Sequence, residues 1–199
     1  MMIVKFCGLR RQEDIDYVNA VKPDLVGFIL VEGRRRYVAP VEVKALRGGL
    51  NSDIKVVGVF VDEDISVVEN LLLDGIIDIA QLHGNESDDY ILRLKEAGYK
   101  VIKAIGIRDE QDVLRADKCP ADIVLLDTPG GGTGSVFDWD LLKKIERPYI
   151  LAGGLNVDNV GEAVTKLEPY GVDVSSGIET DGIKDIDKMK AFMAAIKKG

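Results

Sequence analysis

Near the start of the chain an ammonium and a thiol lie two residues apart, Lys5 and Cys7, on a short apolar run. Residues two apart on a strand share a face. An ammonium beside a thiol lowers its pKa from about 8.5 and increases the thiolate available as a base or nucleophile. The alternative for Cys7 is a buried core cysteine. Asp127 closes the apolar stretch Ile123-Val124-Leu125-Leu126 and serves either a turn or cap, or chemistry. The lone His83, followed by Gly84, is either a wall of a site in contact with substrate or a structural residue. Arg34-Arg35-Arg36 is either a solvated loop or a device for capturing a carboxylate or phosphate.

Two glycine-bearing segments suggest where a phosphate would sit. Phosphate needs several backbone N–H groups at close range, and glycine lets the backbone approach. Gly153-Gly154 lies ahead of a helix expected to begin near Asn156, and Ser175-Ser176-Gly177 follows the last apolar run. Either alone reads as a turn; the two together, after consecutive strands, point to a phosphate cradle. The glycine run 130–134 lacks the Gly-Lys-Ser/Thr ending of a P-loop and reads as a mobile active-site loop. Cys119, in a loop before Pro120, receives no role.

These residues need a scaffold that gathers them. Short runs rich in Val and Ile occur at 3–7, 25–30, 55–61, 78–82, 100–105, 123–127, 149–152 and 172–175, centred about 22 to 31 residues apart. Helical spacing separates them, as in Ile65-x-x-Val68-x-x-Leu71-Leu72, Tyr90-Ile91-x-x-Leu94 and Met189-x-x-Phe192-Met193. Ser87, Asp138 and Asn156 are placed to cap helices, and Gly75, Gly98 and Gly171 to end them. Strand alternating with helix at this period implies a parallel sheet. Eight such units predict a single (β/α)8 TIM barrel over residues 1–199, with a doubly wound open sheet as the competitor. In a barrel every residue named above as a site candidate falls at the carboxyl ends of the strands, where catalytic groups project.

Composition narrows the partners. The 199 residues carry 26 Lys and Arg against 34 Asp and Glu, a net charge of −8, which disfavours nucleic acid and anionic membranes. No run approaches the roughly 20 apolar residues that span a bilayer, and the N-terminus has no secretory pattern. Two cysteines and one histidine form neither a disulfide framework nor a structural zinc site and suit the reducing cytoplasm. The expected partner is a small phosphorylated molecule, with monomer and homodimer both open.

In order along the chain stand Lys5-Phe6-Cys7-Gly8-Leu9, Gln81-Leu82-His83-Gly84, Leu125-Leu126-Asp127, Gly131-Gly132-Thr133-Gly134 with Phe137-Asp138-Trp139, Gly153-Gly154-Leu155-Asn156 and Val172-Asp173-Val174-Ser175-Ser176-Gly177. The sequence resembles the phosphoribosylanthranilate isomerase family of tryptophan biosynthesis over essentially its full length. The resemblance implies a (β/α)8 barrel that performs an Amadori rearrangement without metal or organic cofactor. It makes Asp127 the general acid that opens the furanose ring and Cys7 the general base that removes the C2 proton. It assigns Arg36 to the anthranilate end of the substrate, and Gly153, Gly154, Ser176 and Gly177, with neighbouring Ser175, to the phosphate. Asp173 belongs to the same motif as a polar residue of the substrate site. Because closure makes strand 8 the neighbour of strand 1, Asp173 is expected to face Lys5 and hold its ammonium near Cys7.

One segment departs from the family pattern. Val31-Glu32-Gly33-Arg34-Arg35-Arg36-Tyr37 lacks the usual Ser two residues before the Arg-Tyr pair and the nearby Pro. The shape of this loop, and which arginine touches substrate, stay open. Two other functions compete: an aminoimidazole carboxamide ribonucleotide isomerase of histidine biosynthesis, which would use two aspartates, and a non-catalytic barrel that binds a phosphorylated metabolite.

Overall fold

The computed structural model describes residues 2–128 and 138–197. Eight parallel strands close into a barrel: β1 (Ile3–Cys7), β2 (Leu25–Ile29), β3 (Lys55–Phe60), β4 (Ile79–Leu82), β5 (Lys100–Gly106), β6 (Ile123–Asp127), β7 (Tyr149–Leu151) and β8 (Gly171–Val174). Around them run α1 (Gln12–Val21), α2 (Pro40–Arg47), α3 (Ile65–Leu73), α4 (Asp88–Glu96), α5 (Glu110–Lys118), α6 (Val160–Leu167) and α7 (Ile186–Ile196). The closed barrel excludes the open sheet, and the strand bounds agree with the apolar runs to within a residue.

Two apolar layers follow from the two-residue period of the strands. Leu25, Val57, Ile102, Ala104, Leu125 and Ile150 point inward and fill the barrel. Phe6, Phe28, Val56, Phe60 and Leu126 point outward and pack under helix residues such as Ile15, Val18 and Phe192. Phe6 and Phe192 meet edge to face, with centroids 6.1 Å apart. Truncating Phe192 to Ala would cost about 3–5 kcal/mol through the void it leaves. Since each strand is buried on both faces, its sequence reads as a continuous apolar run. A charged residue at an inward position therefore stands out.

At the amino ends of the strands, aspartates tie the sheet together. Asp24, Asp78 and Asp122 each precede a strand and accept the backbone N–H of Val4, Val56 and Val101 at 2.8, 2.7 and 2.9 Å. Asp78 also takes a two-point contact from Arg47 at 3.0 and 2.7 Å.

Local expectations divide. Ser87 caps α4 by accepting from Tyr90 N at 3.3 Å. Gly75 and Gly98 turn out of their helices with φ of 65° and 86°, the left-handed backbone that favours glycine. Asp138 caps a 3-10 helix, Trp139–Lys144, instead of a full α-helix. Asn156 does not cap α6: its Oδ1 accepts from Asp158 N and Asn159 N at 2.8 and 3.2 Å, folding a turn that delays the helix to Val160. Gly171 does not end a helix either. It lies within β8, where a Cβ would come 2.7 Å from the carbonyl oxygen of Ile3, so closure of β8 on β1 requires glycine there. A small hairpin, β9 (Glu179–Thr180) with β10 (Ile183–Lys184), was not anticipated.

Candidate active site

The register of β1 against β8 sets Lys5 opposite Asp173, and the side chains meet, with Lys5 Nζ 2.9 Å from Asp173 Oδ1. Ile3 and Lys5 share the inner face of β1 with Cys7, and the Lys5 side chain is wholly buried. Gly27 on β2 makes the room. A Cβ there would lie 2.8 Å from Cys7 Sγ and 3.1 Å from Lys5 Nζ, so thiol and ammonium converge on one small space. Burial opposes the Lys5 charge, but Asp173 and Cys7 overcome it and hold the ammonium above its ordinary pKa. For Cys7 the balance falls the other way. Burial pushes the thiol above its ordinary value, Lys5 pulls it down, and Asp173 pushes it further up. Lys5 lowers the thiol as the sequence implies, but removal from water outweighs the ammonium, whose field Asp173 partly cancels.

Asp127 stands at the end of β6, also facing inward, since Ile123 and Leu125 of the same strand line the barrel. Its Oδ1 accepts from Thr128 N at 2.7 Å, and its Oδ2 lies 3.5 Å from His83 Nε2. Gly153, with φ of 84°, brings the chain after β7 against this carboxylate; a Cβ there would sit 2.9 Å from Asp127 Oδ1. Glycine is needed at this point for both the turn and the approach. The backbone on either side of His83 is tied down by groups that the sequence did not single out. Buried Lys103 Nζ donates to Leu82 O, Gly84 O and Glu86 Oε2 at 3.4, 2.7 and 2.9 Å, and Gly84 N donates to Glu86.

Of the three consecutive arginines only one folds inward. Arg34 and Arg35 are exposed, whereas the Arg36 side chain is 13% exposed. It crosses the end of β1 above Gly8, where a Cβ would meet its Cδ at 2.6 Å. Arg36 Nε and Nη2 donate to Glu179 Oε1 and Oε2, both at 2.7 Å, a two-point contact with a carboxylate. Lys184 Nζ donates to Glu179 Oε1 at 2.8 Å and to Ser175 O at 2.8 Å. Burial opposes the Glu179 charge, yet Arg36 and Lys184 hold its pKa down at about 2. Glu179 and Lys184 escaped sequence reasoning because they lie in a short polar stretch with no periodicity.

The loops after β7 and β8 lie side by side, joined by a bridge between Asn156 and Gly177. A Cβ at Gly177 would collide with the carbonyl oxygen of Leu155. Gly153 and Gly154 both have positive φ, and Asn159 Nδ2 holds Gly154 O at 3.0 Å. Ser176 is exposed at this rim and Ser175 half-buried. The barrel therefore brings Cys7, Asp127, His83, Arg36, Asp173 and both glycine loops to one end. The glycine run 130–134 lies outside the described residues. Among the described residues, no group of three His, Cys, Asp or Glu could hold a metal ion, and no helix is long and apolar enough to cross a membrane.

A family model described as N-(5'-phosphoribosyl)anthranilate (PRA) isomerase matches residues 4–195. The chain belongs to the phosphoribosylanthranilate isomerase family. An N-(5'-phosphoribosyl)anthranilate isomerase from Endomicrobium trichonymphae is 46% identical over 191 residues, covering 94% of each chain. The crystal structure of phosphoribosyl anthranilate isomerase from Thermotoga maritima superposes with a TM-score of 0.91 at 35% identity, covering 99% of both chains. A family structure holding reduced 1-(o-carboxyphenylamino)-1-deoxyribulose 5-phosphate matches with a TM-score of 0.89 at 34% identity, again over 99% of both. Membership makes the protein an isomerase of tryptophan biosynthesis. It sets aside both the histidine-pathway reading and the non-catalytic barrel.

Proposed function

We propose that Cys7 and Asp127 divide between them the Amadori rearrangement of N-(5-phosphoribosyl)anthranilate to 1-(2-carboxyphenylamino)-1-deoxyribulose 5-phosphate. The observation that carries this reading is their placement: both are inward-facing groups at the carboxyl ends of β1 and β6, on the side of the barrel that holds the two glycine loops. Asp127 gives a proton to the furanose ring oxygen, and the ring opens to an iminium. His83, with its Nε2 3.5 Å from Asp127 Oδ2, lines the substrate's path. Cys7 then removes the C2 proton. The adjacent iminium acidifies this C–H, so a moderate base suffices. The resulting enolamine tautomerises to the ketone.

The raised Cys7 thiol sets a pH dependence. A thiol held up by burial is protonated at neutral pH in the unliganded protein, so kcat/KM climbs with pH as the thiolate forms. Arg36 takes the substrate's aromatic carboxylate. Gly153, Gly154, Ser175, Ser176 and Gly177 take its phosphate, and Asp173 a polar group between them. No cofactor enters this scheme. The free cysteines suit a cytoplasmic enzyme.

Steady-state assay of wild type, Cys7→Ser and Asp127→Asn, by loss of substrate fluorescence, tests the assignment. Each variant is expected to lose about 10²- to 10⁴-fold in kcat with its thermal unfolding unchanged. Full turnover by either variant removes that residue from its role.

A further inference from the structure

We infer that Glu179 is a positioning residue for carboxylate recognition, fixing the plane of the Arg36 guanidinium so that its remaining edge faces the substrate. The inference rests on the reading of Arg36 as the group that takes the substrate's aromatic carboxylate. A guanidinium offers separate edges to planar anions. Glu179 occupies the Nε–Nη2 edge at 2.7 Å to both oxygens, and Nη1 has no partner among the described residues. The Nη1–Nη2 edge is thus left for a second carboxylate. Glu179 itself cannot swing away, because Lys184 Nζ holds its Oε1 at 2.8 Å and Lys188 Nζ holds its backbone carbonyl at 2.7 Å.

Charge points the same way. Arg36, Lys184 and exposed Arg35 all contact this one carboxylate, at 2.7, 2.8 and 3.2 Å. The neighbouring Asp173 is engaged by Lys5. Three cations sharing one carboxylate leave positive charge facing the mouth of the barrel. In a chain of net charge −8, that excess suits an anionic ligand. Between Ser175 and Lys184 the chain forms one hydrogen-bonded unit: Glu179 N donates to Ser176 O at 3.0 Å and Lys184 Nζ to Ser175 O at 2.8 Å. The carboxylate grip and the phosphate loop therefore share a frame but present different surfaces, and two small probes separate them.

The experiment uses 2-aminobenzoate and inorganic phosphate as separate competitive inhibitors of wild type, Glu179→Gln, Arg36→Ala and the double variant. The amide keeps the shape of Glu179 but loses its charge and its two-point acceptance. Glu179→Gln is expected to weaken 2-aminobenzoate about tenfold or more, raise KM more than it lowers kcat, and change phosphate inhibition by less than about twofold. The double variant is expected to bind 2-aminobenzoate no worse than Arg36→Ala, since Glu179 acts through Arg36. Parallel weakening of both inhibitors, or additive losses in the double variant, would overturn the inference. So would loss with Arg36→Ala but not with Glu179→Gln, which leaves the role of Arg36 standing. No loss with Arg36→Ala overturns both.

Discussion

The two ends of the barrel use carboxylates in opposite ways. At the amino ends of the strands, Asp24, Asp78 and Asp122 accept backbone N–H groups of the sheet, and Arg47, Lys95 and Lys100 balance two of them. Each carboxylate is spent on the protein itself. At the carboxyl ends, Glu179 is outnumbered by its cations, Asp127 meets Thr128 N and a histidine among the described residues, and a thiol sits in a space that does not favour its charge. The difference teaches where to look for chemistry. Carboxylates at the floor are satisfied, and their removal loosens the fold. Among the described residues, groups at the mouth keep unmet capacity, and their removal is expected to change what the protein binds and turns over.

Lys5 offers the sharpest way to break this division, because it belongs to both structure and chemistry. Lys5→Met leaves Asp173 without its partner inside the barrel and should cost about 3–5 kcal/mol in chemical denaturation. The same change should raise the Cys7 thiol further, while Asp173→Asn should lower it, since the amide no longer opposes the thiolate. Opposite displacements from breaking one ion pair are read from the pH dependence of Cys7 alkylation in a Cys119→Ser background. Displacements of the same sign would mean that the pair acts only as a strut.

Next in size is the floor. Asp78→Ala should destabilise by about 1–3 kcal/mol in urea, as Val56 N and Arg47 lose their acceptor, with kcat/KM unchanged. A fall in kcat/KM at full occupancy of the native state would erase the distinction between the two ends. Acid unfolding sharpens it from the other side. Glu179 is lowered from 4.5 to about 2 on folding, so it adds stability above 4.5 that is lost as pH falls through about 2. Glu179→Gln should therefore flatten that part of the stability curve. The smallest effect belongs to the exposed Glu69–Arg93 pair at 2.8 Å. Its removal should cost roughly 0.2–1 kcal/mol, less at high salt, and leave kinetics untouched.

Much of this arrangement was legible in the chain. Eight apolar runs at a regular spacing announce the barrel, because parallel strands buried on both faces leave continuous hydrophobic stretches. The alternation that puts Lys5 and Cys7 on one face, and the adjacency of the first and last strands, were enough to place Asp173 against Lys5. The hairpin carrying Glu179 was not legible, since four strand residues joined by a tight turn have no period to detect. Nor was the delayed start of α6, where Asn156 makes a turn instead of a cap.

Sequence alone thus determined the fold and the end of the barrel where chemistry belongs, because both depend on residue type, order and period, while the acid and base roles came from the family resemblance. Tertiary structure decided the quantities that depend on surroundings. Whether an ammonium or the loss of water governs the Cys7 thiol is a contest between two energies, and only burial sets its outcome. Which of three adjacent arginines turns inward was settled by Glu179, more than 140 residues away in the chain, and by a glycine at position 8 that leaves room for the side chain to pass.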